Sequence, residues 1–304
     1  MIRFVVQYPI QSDVEAGAWL KPQNIIRFTQ AVEAAGLDAI SLTDHPAPSR
    51  KWLESGGHET LDPFVGLAFC AAVTSRIRLM THLIVVPYRN PLLQARSMAA
   101  LDVLSGGRTT FVLGTGYLRS EFAALGVDFD ERNELFDEAV EVFRGIWGAD
   151  SFPYAGRHFK VVDQVIKPAP IQLPHPPLWV GGNSKIAFDR VARWGQGWAP
   201  MQGPAQLART SRTPAISSDE ELVEALSEVT ERLEANGRTL ASIDVLAGNT
   251  AFSTGVSADE RIDGLARLAE LGVTWTSVHL PHDRFEDALE ALQRFGEEIA
   301  PRVR

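Results

Sequence analysis

Leu101-Asp102-Val103-Leu104-Ser105-Gly106-Gly107-Arg108-Thr109-Thr110-Phe111-Val112-Leu113-Gly114-Thr115-Gly116 holds one complete reversal of the chain. A helix opened upstream by Asn90-Pro91 stops at Gly106-Gly107, because proline suits a first helical turn and glycine a last one. Thr109–Leu113 then reads as an apolar strand that breaks at Gly114-Thr115-Gly116. Working outward, the same unit recurs. On the N-terminal side, strands are expected at Arg3–Tyr8, Asp38–Thr43 and Ile77–Val86, with helices from Pro22 to Gly36 and through Val65–Thr74. On the C-terminal side, amphipathic helices Leu118–Gly126 and Glu131–Trp147 come in tandem. Strands Leu178–Val180, Gly197–Ala199, Ile243–Ala251 and Thr274–His279 follow, each with a helix after it: Ser184–Trp194, Asp219–Asn236, Ala258–Leu271 and Phe285–Ile299. Gln202–Ser217 is polar and marked by Pro and Gly, and reads as a mobile loop.

Eight such β/α units imply a parallel sheet covered by helices, and 304 residues suit a closed (β/α)8 barrel in one domain spanning 1–304. Residues 149–177, with Pro153, Pro168, Pro170, Pro174 and Pro176, interrupt the rhythm as an inserted excursion between the fourth and fifth strands. Phe152, Tyr154, Phe159, Val161 and Val165 give that insertion apolar surface to bury. The alternative, an open doubly wound sheet, usually places a glycine-rich loop after its first strand, where this chain has Pro9-Ile10-Gln11-Ser12.

With 38 acidic against 29 basic residues, the net charge of −9 argues against nucleic acid and against anionic membrane surfaces. No apolar stretch approaches the ~20 residues that cross a bilayer, and Ile2–Ile10 lacks a signal-peptide pattern, so a cytoplasmic protein is expected. The single cysteine, Cys70, sits in an apolar run and reads as packing. The acidic residues of the Asp219–Asn236 helix read as a solvated face.

In such a barrel, chemistry gathers where strands end and βα loops begin. Those positions hold Asp44-His45, Thr81-His82-Leu83, Gly114-Thr115-Gly116-Tyr117, Gly181-Gly182-Asn183-Ser184 and His279 with His282. Gly181-Gly182 lets the backbone come close to a ligand, and Ser184 opens a helix whose free N–H groups attract an anion; a tight turn would use the same residues. Gly114-x-Gly116 lacks the third glycine of a dinucleotide fingerprint, which would fall at Arg119, and is read as backbone approach to a flat ring. Asp44-His45 is either a cap beside a surface imidazole or a pair that holds a heteroatom-rich ring and shuttles its proton. His82 is either a core histidine or a pocket residue. His279 and His282 lack a third ligand, so no metal site is expected. Motifs for a serine-hydrolase elbow, a zinc peptidase helix and a phosphate-binding Walker loop are missing from the sequence.

Taken in order, these segments resemble the bacterial luciferase-like superfamily, and in particular its coenzyme F420-dependent branch. The resemblance rests on Ala34-Ala35-Gly36-Leu37-Asp38 leading to Thr43-Asp44-His45, on Leu79–Val86 with Asn90-Pro91, and on Leu101-Asp102 through Arg108. It continues in Gly114-x-Gly116 with Glu121-Phe122, and in Pro168-x-Pro170-x-Gln172-x-Pro174-x-Pro176-Pro177 into Trp179-x-Gly181-Gly182 and Gly197-Trp198. It covers about residues 1–200. It implies a TIM barrel holding a deazaflavin or flavin at the strand ends, with Asp44 and His45 against the ring and a non-proline cis peptide at His82-Leu83 behind it. Thr81, Gly114, Thr115 and Gly116 would flank the ring, and Gly181, Gly182, Asn183 and Ser184 would take the phosphate. Sugar-phosphate dehydrogenases of the family carry glutamate after the Gly-Thr-Gly; here that position is Tyr117, so their substrate scheme does not transfer. The implied reaction is hydride transfer between coenzyme F420 and a small substrate, with His45 polarising the ring or substrate and Tyr117 donating a proton. An FMN- and oxygen-dependent monooxygenase is the alternative, and a cofactor-binding protein without turnover a third. The resemblance also implies a homodimer. Loops 46–61 and 202–217 are expected to shape the substrate pocket, and Trp52, Phe64 and Trp198 point to an apolar or aromatic guest. His45→Ala is expected to slow turnover and leave stability within about 1 kcal/mol.

Overall fold

The computed structural model describes residues 2–10, 16–148, 150–203, 208, 211–248 and 256–303. Its strands are β1 (Arg3–Gln7), β2 (Ala39–Leu42), β3 (Arg78–Val85), β4 (Thr109–Gly114), β5 (Tyr154–Ala155), β6 (Lys160–Val161), β7 (Leu178–Gly181), β8 (Gly197–Ala199), β9 (Asp244–Val245) and β10 (Trp275–Ser277). Eight of them form one parallel sheet in the order β10-β1-β2-β3-β4-β7-β8-β9. The two ends meet: Thr274 N–H donates to Val245 O and Ala247 N–H to Trp275 O, both at 3.0 Å, which closes the barrel. The structure thus has the eight-stranded barrel that the alternation predicts.

The stretch 101–116 shows why the chain reverses where it does. Helix α5 (Pro91–Ser105) is capped by Asn90, whose side chain accepts from Leu92 N–H, and ends on Gly106 in the left-handed conformation (φ 68°). Asp102, fully buried, accepts from Thr109 Oγ1 at 2.6 Å and from the backbone N–H groups of Ile171 and Gln172. One carboxylate therefore joins the helix end, the next strand and the returning proline-rich segment. Arg108 donates to the carbonyls of Ala71, Thr74 and Ile77, tying this turn to the start of β3. The excursion contains a short hairpin: β5 and β6 pair antiparallel, and Glu138 of helix α7 (Arg132–Gly148) receives the N–H groups of Arg157, His158 and Phe159.

Side chains alternate across each strand, so the barrel interior can be read in layers. Val5, Ala39, Met80, Val112, Trp179, Ala199, Leu246 and Trp275 form one packed cluster, a member from or beside each strand. Two residues earlier lies a polar base, where Arg3 pairs with Asp244 and Arg78 Nε donates to Thr110 Oγ1 at 2.8 Å. Two residues later stand Gln7, His82, Gly114, Gly181, Gly248 and Ser277, the layer facing the loops.

Some elements differ from the expectation. The strand expected at Ile243–Ala251 is only Asp244–Val245, and residues 249–251 lie outside the described residues. Helix α1 (Ala16–Trp19) and helix α3 (Arg50–Glu54) are short and lack an apolar period to announce them; Ser49 caps α3 by accepting from Trp52 N–H. Of the loop Gln202–Ser217, residues 204–207 and 209–210 lie outside the described residues. Its C-terminal flank is anchored rather than loose, since Ile216 is buried and its carbonyl accepts from Gly203 N–H. No helix among the described residues is long and apolar enough to cross a membrane.

Candidate active site

Asp44-His45 follows just past the end of β2, and the two side chains take different jobs. Asp44 is buried; its carboxylate accepts from both Arg89 guanidinium nitrogens, at 2.6 and 2.8 Å, and from Val85 N–H at 3.0 Å. It therefore ties β2 to the end of β3, and the polar atoms expected against a ring are engaged by the protein. His45 points the other way into a cluster of rings: Trp52 at 4.5 Å, His58 at 5.2 Å and Tyr117 at 6.0 Å between centroids.

Beneath these rings lies Glu121 of helix α6 (Arg119–Ala124), with no exposed surface. It accepts from His45 Nδ1 (3.1 Å), Tyr88 OH (3.0 Å) and Ala47 N–H (3.1 Å). A carboxylate on Nδ1 fixes the imidazole as the tautomer with a free Nε2, the arrangement that lets a histidine accept or deliver a proton. His45 Nε2 has no hydrogen-bond partner among the described residues. Burial, and then the Glu121 charge, push the Tyr117 phenol up to about 12, against a hydrogen bond that its oxygen accepts from Trp52, so it keeps its proton at neutral pH. Burial and the neighbouring His45 hold His58 down at about 4, leaving it neutral while its Nε2 meets Thr43 Oγ1 at 2.9 Å. The sequence marks Glu121 only through the Glu121-Phe122 motif and gives no local sign of Tyr88, Arg89 and His58 as site residues, because their partners lie 15 to 76 positions away.

β3 carries the non-proline cis peptide at His82-Leu83 that the resemblance implies. Around it, Thr81 is fully buried and exchanges hydrogen bonds with the Val112 backbone, so it holds β3 to β4 and its hydroxyl is engaged. The Leu83 side chain explains two of the predicted glycines. A Cβ on Gly114 would lie 2.3 Å from Leu83 Cδ1, and one on Gly181 2.5 Å from Leu83 Cδ2. These glycines make room for a half-buried leucine, which fills the approach that the sequence reading left open to a ligand. Gly116, at φ 76°, is needed for its turn and for closeness to Val85 and Phe122.

At the end of β7 the backbone is open. Gly182 has φ 103°, and a Cβ there would meet nothing within 4 Å. Its own N–H and carbonyl are used by Ala199 O and Trp198 Nε1. Asn183 is buried with its carboxamide bound to the Met201 and Pro214 backbones, which locks the loop beyond β8 over this turn. Ser184 caps helix α8 (Lys185–Arg193), and the helix start leaves first-turn N–H groups without intrahelical acceptors. Close by, Thr213 Oγ1 accepts from Asn183 N–H, and the adjoining Arg212 lies 5.2 Å from the Phe129 ring. Arg119 and Arg132 cover the same ring at 4.1 and 3.9 Å. Arg119 is paired with Asp130, whereas Arg132 and Arg212 have no ion-pair partner among the described residues. Burial, with Arg212 and Arg119 adding to it, lowers the Arg132 pKa. Guanidiniums crowded like this next to a helix start have the charge and the free N–H groups that suit an anion.

A cavity of about 350 Å³ opens on the β1 and β10 side, lined by Gln7, His58, His82, Ser277, His279 and His282 among others. The structure thus answers the open question about His82: it is a pocket residue. Trp198 is fully buried against Phe188 and Phe64 lies beside Arg89, so neither is a wall of this cavity; Trp52 packs on His45 instead, its ring tilted by 39°. Among the described residues no three His, Cys, Asp or Glu side chains converge as a metal set.

Comparisons with known proteins bear on the family and the fold. A family model described as luciferase-like monooxygenase matches residues 2–299. The uncharacterized protein Rv0953c of Mycobacterium tuberculosis is 31% identical over 244 residues, covering 79% of this chain and 77% of that protein. An F420-dependent glucose-6-phosphate dehydrogenase of Amycolatopsis mediterranei is 27% identical over 219 residues (69% of this chain, 63% of that protein). An FMNH2-dependent dimethylsulfone monooxygenase of Pseudomonas putida is 32% identical over 125 residues (40% and 34%). Among solved structures, the monooxygenase RslO1 of Streptomyces bottropensis superposes with a TM-score of 0.80 at 22% identity, covering 99% of both chains.

Proposed function

This chain belongs to the luciferase-like monooxygenase family, and from that premise we propose that it transfers a hydride between coenzyme F420 and a small organic substrate. The observation that carries the choice of cofactor is the arginine cluster. F420 has a phosphodiester and a chain of carboxylates in its tail, and FMN a single phosphate. Arg119, Arg132 and Arg212 around Phe129, beside the Ser184 helix start, supply more positive charge than one phosphate uses. Leu83, held between Gly114 and Gly181, offers a flat ring an apolar seat. Gly182, without a side chain, leaves the path from ring to tail open.

When bound, the deazaflavin supplies two-electron chemistry, since carbon stands where flavin has N5. The chain's residues do the rest. Glu121 keeps His45 in one tautomer, His45 Nε2 handles a proton at the reacting group, and Trp52 and Tyr117 wall that imidazole off from water. Equilibrium binding of purified protein to F420 and to FMN, each oxidised and reduced, tests the reading. F420 should bind more tightly, with affinity falling steeply as salt rises, and Arg212→Ala should weaken F420 more than FMN. Tight FMN binding with oxygen consumption, and no uptake of F420, would establish the monooxygenase instead.

A further inference from the structure

We propose that the cavity beside His82 and His279 selects an uncharged substrate through a hydroxyl or carbonyl oxygen. The inference deepens the proposed function and rests on it for the reaction, though not for the binding.

The cavity and the anion site lie on opposite sides of the barrel mouth. Leu83 leans towards β4 and β7, whereas its neighbour His82 lines the cavity with Gln7 of β1 and Ser277 of β10. In the top layer Gly114 and Gly181 therefore stand on the Leu83 side, and Gln7, His82 and Ser277 on the cavity side. Among the described residues the cavity wall has no Lys, Arg, Asp or Glu. An anion bound there would meet no cation among the described lining residues, and a cation no carboxylate.

What the wall offers is neutral hydrogen bonding. The imidazoles of His82 and His279 have no hydrogen-bond partner among the described residues. Burial holds His82 down at about 4, with His279 adding to the effect, and burial lowers His279 as well. Both are therefore uncharged at neutral pH, each with one donor and one acceptor nitrogen. Gln202 Oε1 is buried without a partner and lies 3.5 Å from where a Cβ on Gly248 would stand; His279 Nε2 lies 4.0 Å from the same point. The two unpaired imidazoles of the cavity wall can each donate to a carbonyl oxygen or exchange hydrogen bonds with a hydroxyl. The ~350 Å³ volume is at the small end for a ligand pocket.

The test uses three probes of nearly equal size: acetophenone, 1-phenylethanol and benzoate. Their binding is measured by saturation-transfer NMR, with and without saturating oxidised F420. The ketone and the alcohol should bind the wild type at least tenfold more tightly than benzoate. His279→Leu should weaken both neutral probes several-fold, and His279→Arg should reverse the preference towards benzoate. If His279→Leu fails to fold, His82→Gln provides the same comparison from the opposite wall. Benzoate binding as tightly as acetophenone, or neutral-probe affinities unmoved in folded variants, would overturn the inference. F420 affinity is read in the same samples. Its absence, with the probe preferences intact, would overturn the cofactor reading and leave the pocket assignment standing.

Discussion

Glu121→Gln is the most searching single change, because it keeps the shape of a buried side chain and alters only charge and hydrogen-bond direction. The carboxylate accepts three hydrogen bonds and donates none. A glutamine retains one acceptor oxygen, which can still receive Ala47 N–H at the Oε1 position. Its NH2 then faces Tyr88 OH and His45 Nδ1, two groups that donate in the native arrangement. Burial, and then the Glu121 charge, raise the Tyr88 pKa, so this phenol stays a protonated donor but can rotate its hydrogen away. His45 can adapt only by becoming an acceptor at Nδ1, which moves its proton to Nε2. One charge-assisted bond lost is worth ~1.5–3 kcal/mol, and a second weakened one brings the expected stability loss to about 2–4 kcal/mol. The tautomer change takes away the free Nε2, for which a 10²–10³-fold loss in kcat is expected.

The assay pairs urea unfolding with turnover monitored by deazaflavin absorbance, in wild type, Glu121→Gln, His45→Ala and the double variant. If Glu121 acts through His45, the double variant should be about as slow as His45→Ala alone, a non-additivity that a purely structural role would not produce. A Glu121→Gln protein that loses stability yet keeps kcat within threefold would refute the reasoning. The structure also revises the expectation for His45→Ala, since removing the ring leaves a fully buried carboxylate one donor short. A loss of about 1–3 kcal/mol now replaces the expected change of under about 1 kcal/mol.

Gly182→Val should weaken cofactor binding tenfold or more, since its side chain would enter the open path and sit at φ 103°; unchanged affinity in a folded variant, measured by fluorescence titration, would show that the tail passes elsewhere. Acid should destabilise the protein: His58 and His82 titrate near 4 when folded and near 6.5 when unfolded, so the unfolded chain binds more protons as pH falls from 6.5 to 4. Urea midpoints should therefore drop between pH 7.5 and 5, and drop less in a His58→Gln/His82→Gln variant; equal drops would place the titration elsewhere. For the expected homodimer, the exposed Val65 and Phe69 of helix α4 (Pro63–Ala71) and Leu93 and Leu104 of α5 are the apolar face to test. Val65→Glu with Leu93→Glu should give a monomer by light scattering, and a wild type that is already monomeric would end that reading.

The sequence announces what is periodic and local. The glycine stop at 106–107, the Asn90 and Ser184 caps and the alternation of strands with helices all depend on neighbours within a few residues, and they stand where they were expected. The site was legible only as a set of strand ends. That His45 belongs to Glu121, Asp44 to Arg89 and Arg212 to Phe129 follows from barrel closure, which brings residues 76, 45 and 83 positions apart into contact. Glycine was the least reliable signal. Gly114, Gly181 and Gly182 look alike in the chain, yet the first two yield space to Leu83 and only Gly182 faces open space.

The same difference explains how one barrel mouth can serve two ligands. A long anionic cofactor needs exposed backbone, a helix start and fixed positive charge, which the loops after β4, β7 and β8 provide through Gly182, Ser184 and the three arginines. An uncharged substrate needs the opposite, a wall with hydrogen bonds and no net charge, and β1, β3 and β10 supply Gln7, His82 and Ser277. His45 belongs to neither wall. It is tied to Glu121 from behind and lies 5.2 Å from His58, which itself lines the cavity. In the proposed arrangement His58 is the cavity residue next to His45, and the arginines stand apart from the cavity lining, so an anion bound there would place no charge in the substrate pocket.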